Sequence, residues 1–92
     1  GTLNVLEAVR SAPQPPALLF TSTNKVYGSC AGLPVVPGPE RYQVDDGARR
    51  GRGIDERQAL EFRSPYGCSK GAADQYLLDY AQTYGLRAAV FR

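Results

Sequence analysis

The sequence predicts an α/β protein, and more narrowly a fragment of a doubly wound parallel sheet. Three observations point there. The elements run helix, strand, long loop, helix, strand. The first strand, "ALLFTS", is a short apolar run of the kind found in buried parallel strands. A helix of several turns separates it from the second strand, which implies two parallel strands joined by a right-handed crossover.

The first helix is read in "GTLNVLEAVRS", Gly1 to Ser11. Leu3, Leu6 and Val9 recur at helical spacing, and Val5 and Ala8 widen the apolar face. Pro13, Pro15 and Pro16 end it, because proline lacks the amide hydrogen and clashes with the preceding turn. Ala17 to Ser22 follows as the first strand. "TNKVYG" comes next, where Gly28 suits a turn. Ser29 to Arg63 is rich in glycine and proline and is predicted to be loop, with at most short strands or turns. So long a loop in a small domain is usually functional or mobile.

The second helix starts at Ser64. Serine suits the N-cap and Pro65 the first helical position. Ala73, Leu77, Tyr80, Ala81 and Tyr84 mark one face, and Tyr66 and Lys70 lie on the same stripe. Gln75, Asp79 and Gln82 mark the other. Gly85 stands where a left-handed residue closes a helix. Leu86 to Arg92 reads as the second strand.

Composition excludes several classes. The 92 residues carry a net charge of +2, too little to argue for nucleic acid, although "ARRGRG" is basic. A solvated loop is the plainer account of that run. Two cysteines, Cys30 and Cys68, are too few for a disulfide framework. No run of about 18 apolar residues is present, so no membrane partner is expected. A reducing, cytoplasmic setting is the default expectation. The chain opens in helical rhythm and stops in strand rhythm, so it is expected to be part of a longer protein.

The chemistry gathers in two stretches. In parallel α/β sheets, sites form at the carboxyl ends of the strands. "TSTN", Thr21 to Asn24, ends the first strand, and "SPYGCSK", Ser64 to Lys70, opens the following helix. The two should therefore meet in space. Tyr66 and Lys70 are four residues apart, slightly more than one turn, and share a face. A tyrosine with its ordinary pKa of about 10 is a poor base near neutrality, and an adjacent cation favours its phenolate. Thr23 adds a hydroxyl. The set suits proton transfer at an alcohol or a carbonyl. A Tyr and a Lys at this spacing also occur by chance. The preceding Ser-Pro, and a "TST" strand end about 40 residues earlier, set this pair apart.

"FTSTNKVYG" together with "SPYGCSKGAADQYLLDYAQTYGLRAAVFR" resembles the extended short-chain dehydrogenase/reductase family, the NAD-dependent nucleotide-sugar epimerases and dehydratases. Within it, the two stretches look most like epimerases acting at C2 of a CDP-sugar. The resemblance covers nearly all of the chain outside the middle loop. It implies a Rossmann fold, NAD as cofactor, a nucleotide-sugar substrate and a homo-oligomeric full-length protein. By motif, Thr23 takes the place of the catalytic Ser/Thr, Tyr66 that of the catalytic tyrosine, and Lys70 that of the lysine that also holds the nicotinamide ribose. Thr21 and Ser22 would line the cofactor pocket, with Tyr66 and Lys70. Thr23, Asn24 and Tyr66 would face the sugar.

The resemblance also implies absences and a choice. The family's glycine-rich pyrophosphate motif is not in these residues, nor is most of its sugar-nucleotide domain. Residues 1–92 would thus be the central, catalytic part of an NAD-binding domain. In the related 4,6-dehydratases an Asp-Glu pair follows the catalytic threonine. Here Asn24 and Lys25 stand in those places, which disfavours dehydration and leaves oxidation with re-reduction. Two alternatives stay open: another epimerase or reductase on this fold, and a family member that binds cofactor without turnover. The bundling of the family's helices across a dimer interface would account for apolar positions off the catalytic stripe, such as Leu78.

Overall fold

The computed structural model describes residues 1–47 and 53–92. The "ARRGRG" run therefore lies, except for Gly53, outside the described residues. The order of elements is α1 (Thr2–Arg10), β1 (Leu18–Thr21), a 3-10 turn (Asn24–Tyr27), β2 (Val35–Pro37), β3 (Tyr42–Val44), α2 (Ser64–Tyr84) and β4 (Ala88–Phe91).

β1 and β4 pair in parallel, with Leu18 opposite Ala88 and Thr21 opposite Phe91. Successive strand residues alternate faces. Leu18, Phe20, Ala88 and Val90 are partly covered, whereas Leu19 is 74% exposed and Phe91 60%. One face of this two-stranded sheet is thus covered by the helices and the other is open. The apolar run had predicted a strand buried on both faces. Among the described residues one layer of helix covers it.

The core lies under α1 and α2. Leu6 of α1 and Leu77 of α2 are buried, and both line an apolar cleft with Leu18 and Phe20. The two helices are also joined by polar contacts. The Tyr80 hydroxyl donates to Glu7 Oε1 at 2.6 Å, and Arg10 pairs with Glu7 while its guanidinium lies 4.9 Å from the Tyr84 ring centroid. Arg10 first, then the Tyr80 hydroxyl, hold the Glu7 carboxyl below its ordinary range.

Among its described residues the long loop contains the short antiparallel strands β2 and β3, in line with the expectation of short strands at most. Its return arm is strapped to the body of the fold. Glu61 N–H donates to the Val26 carbonyl at 2.9 Å, and the Phe62 ring lies directly against Gly71 of α2. A Cβ on Gly71 would stand 2.4 Å from a Phe62 ring carbon, so only glycine admits this contact without a shift. Gly85 follows α2 with φ 67° and ψ 28°, the left-handed closing residue that the sequence predicts.

Candidate active site

Thr23 ends the extended run of β1, with φ −159° and ψ 150°, and opens the 3-10 turn. Its Oγ1 accepts the Lys25 N–H at 3.3 Å. That bond uses an oxygen lone pair, so the hydroxyl hydrogen stays available to a ligand. The turn then buries Val26 and Tyr27 and closes at Gly28, whose φ is 64°. A Cβ at Gly28 would stand 2.5 Å from the Glu61 carbonyl oxygen, which accounts for glycine there on two grounds.

The turn packs on the first coils of α2. Gly67 is buried, and a Cβ there would lie 3.3 Å from the Lys25 carbonyl oxygen. The absence of a side chain at 67 thus lets the Thr23 segment approach the helix that carries Tyr66. At the start of that helix the Ser64 Oγ accepts the Gly67 N–H at 3.1 Å, while Arg63 before it makes no side-chain capping bond. Ser64 also has a φ of 71°, in the left-handed region that L residues rarely adopt.

Tyr66 and Lys70 share one face of α2, a turn apart. The Tyr66 side chain is 59% exposed, and its hydroxyl makes no hydrogen bond among the described residues. Lys70 crosses to the sheet. Its Nζ donates to the Thr21 carbonyl at 2.5 Å and lies 4.4 Å from the Phe20 ring centroid. The ammonium is therefore tied to the carboxyl end of β1, where the sequence places the site.

Beneath this group lies an ion pair that the sequence reading missed. Asp74 is 0% exposed and accepts from Arg92 Nε and Nη2, each at 2.8 Å. Burial pushes the Asp74 carboxyl up, but Arg92 and the nearby Ser22 hydroxyl outweigh it and hold the group below its ordinary value. Arg92 is raised in turn, chiefly by its hydrogen bonds to Asp74. The Ser22 Oγ is buried and makes no hydrogen bond of good geometry. The Arg92 guanidinium also lies 5.9 Å from the Tyr27 ring centroid. A signal was present in the spacing, because Tyr66, Lys70 and Asp74 recur every four residues down one stripe.

The structure thus brings Thr21, Ser22, Thr23 and Lys70 to one strand end, with Tyr66 one turn above Lys70 and Asn24 exposed beside Thr23. Residues 1–92, the whole chain, match the NAD dependent epimerase/dehydratase family. The chain belongs to that family. It is 50% identical over its full length to the CDP-paratose 2-epimerase of Salmonella typhi, of which it covers 26%. It is 29% identical over its full length to a putative UDP-glucose 4-epimerase of Methanocaldococcus jannaschii, of which it covers 24%. The chain spans about a quarter of the length of these family members.

Membership in the epimerase/dehydratase family agrees with the parallel β1–β4 pair and its crossover helix. No helix among the described residues is long and apolar enough to cross a membrane, and no group of three or more potential metal ligands occurs among them.

Proposed function

We propose that this chain is the catalytic segment of an NAD-dependent nucleotide-sugar epimerase that inverts C2 of CDP-paratose to give CDP-tyvelose. The observation that carries this reading is the 50% identity to a CDP-paratose 2-epimerase across the segment that holds Thr23, Tyr66 and Lys70.

The residues present fit a nicotinamide ribose. Lys70 Nζ is fixed by one hydrogen bond to the Thr21 carbonyl, which leaves two donor hydrogens for ribose hydroxyls. Thr21 and Ser22 stand at the same strand end. NAD, when bound, supplies the hydride acceptor and donor that no side chain can provide. Tyr66, as phenolate, takes the proton of the sugar hydroxyl and later returns it. Thr23 donates a hydrogen bond to that same sugar oxygen and keeps it facing the phenol. Lys70 places a positive charge one turn from Tyr66. Asn24 would face the sugar. Neither Asn24 nor Lys25 offers a carboxylate, and this is the ground for epimerisation over dehydration.

A second reading is a nucleotide-sugar epimerase with a different nucleotide or carbon, favoured by the 29% identity to a putative UDP-glucose 4-epimerase. A homo-oligomer is part of the proposal, and Tyr76, Leu78 and Tyr84 remain exposed on α2 to meet a partner. The test is turnover of CDP-paratose by the full-length protein, followed by NMR of the sugar protons. Appearance of CDP-tyvelose is the expected result, and Tyr66→Phe should reduce its rate at least about 100-fold. Turnover of UDP-glucose with CDP-paratose untouched would select the second reading.

A further inference from the structure

Asp74 is a buried ionised group that proton transfer at Tyr66 does not use. Arg92 and the Ser22 hydroxyl reach it from the two strand ends that flank the site, and Gln75 Nε2 of α2 itself donates to its Oδ1 at 3.1 Å. Side chains alternate along a strand, so Ser22 continues the helix-facing side of Phe20, and Arg92 continues that of Val90. Thr21 pairs with Phe91, and Ser22 N–H donates to the Phe91 carbonyl at 2.7 Å, which sets Ser22 and Arg92 side by side. Arg92 forks onto Asp74, one turn after Lys70 and two after Tyr66, and the Ser22 hydroxyl lies beside the carboxylate. Arg92 also lies over Tyr27, three residues beyond Asn24 in the turn that Thr23 opens. Three elements that carry the proposed site therefore converge on one carboxylate.

We propose that the Asp74–Arg92 ion pair is a positioning pair, which fixes the Thr23 end of β1 against the turns of α2 that carry Tyr66 and Lys70. This rests on the assignment of Thr23, Tyr66 and Lys70 as the proton-transfer group. Stability alone does not explain the pair. Taking two charges out of water costs several kcal/mol per ion, and well-packed apolar replacements of such pairs are often as stable or more so. What an apolar pair lacks is direction. A bidentate Arg–carboxylate contact fixes distance and angle together. With Asp74 0% and Arg92 14% exposed, water does not loosen it. Thr23 and the Tyr66–Lys70 stripe lie on separate elements, and misplacement by about 1 Å can cost about 100-fold in rate.

The test removes the ion pair while keeping the packing. In the full-length protein, the double variant Asp74→Leu/Arg92→Met should keep its melting temperature within about 3 °C. Its KM and its NAD affinity should stay within about threefold, while kcat falls at least about tenfold. A merely structural pair would leave kcat of the folded enzyme alone, whatever the melting temperature does. If the double variant does not fold, Arg92→Lys decides the matter. It keeps the charge but loses the fork, and its kcat should fall with KM held. A folded variant of either kind with kcat within about twofold of the parent overturns the proposal. Tyr66→Phe is measured alongside. If it retains activity, the site assignment fails, whatever Asp74 does.

Discussion

Lys70 and Thr21 are joined across the helix–strand interface, the Lys70 ammonium donating to the Thr21 main-chain oxygen at 2.5 Å. The acceptor is backbone at the end of β1, so the position of the charge is set by the sheet. The Phe20 ring, 4.4 Å away, supports it from the side. Lys70→Met keeps most of the stem and removes the charge. The expected result in the full-length protein is a loss of turnover of at least about 100-fold, with weakened NAD binding by calorimetry. Lys70→Arg should not restore it, because a planar fork does not reproduce one compact donor. Full activity of Lys70→Met would separate the lysine from the chemistry.

Gly71 gives a sharper test of packing. Glycine to alanine inside a helix ordinarily stabilises by about 1 kcal/mol. Here the added methyl would stand 2.4 to 2.6 Å from three atoms of the Phe62 ring. Gly71→Ala should therefore destabilise by about 1–3 kcal/mol, as overpacking does. Adding Phe62→Ala should relieve the clash, so the two changes should be strongly non-additive in chemical denaturation. Additive effects would place the Phe62 ring elsewhere.

Acid should expose the Asp74 contribution. The folded-state pKa of Asp74 lies below the ordinary 3.8. A depressed carboxylate stabilises the fold above its unfolded pKa, and that contribution is lost as pH falls through the folded value. Asp74→Asn leaves Arg92 buried without its counter-charge, at a cost of about 3–5 kcal/mol near neutral pH. The gap in melting temperature between the parent and this variant should be constant above about pH 5 and close below about pH 4. A gap that instead widens as pH falls would mean that the folded-state pKa of Asp74 is raised and not lowered.

Much of this arrangement could be read from residue patterns. Helical periodicity and the closing Gly85 gave both helices, and Ser64 and Pro65 gave the start of α2. The apolar runs gave β1 and β4. The turn that closes at Gly28 was legible, but four residues carry too little periodicity to show that Asn24–Tyr27 winds as a 3-10 turn. Asp74 and Arg92 were passed over for a different reason. Charged residues are assigned to water by default, and nothing local says that two of them, 18 positions apart, satisfy each other inside. The face assigned to α2 was right at Leu77, yet Tyr84 and Tyr66 on that stripe are exposed. The buried line runs through Gly67, Gly71, Asp74 and Leu77. Glycines carry no hydrophobic signal, so close approach of backbone or ring at Gly67 and Gly71 is invisible to a pattern of apolar residues.

The path of hydrogen decides between two chemistries for the proposed epimerase. A hydride mechanism lifts the C2 hydrogen with its electron pair and returns the same atom to the other face. A deprotonation mechanism removes it as a proton, which exchanges with water. The second needs an acidic C–H, and no carbonyl adjoins C2 in a nucleotide sugar of this kind. It also needs a base suited to carbon. The titratable groups that the proposal sets against the sugar are Tyr66 and Lys70, and Tyr66 is exposed with its hydroxyl open to a substrate oxygen. Asp74 is engaged by Arg92 and 0% exposed, so it cannot reach a sugar carbon. Substrate carrying deuterium at C2 should therefore give product that retains the label in ordinary water, read by mass spectrometry over a single turnover. Complete washout would rule out hydride return, and with it the role of Tyr66 as the group that moves only the hydroxyl proton.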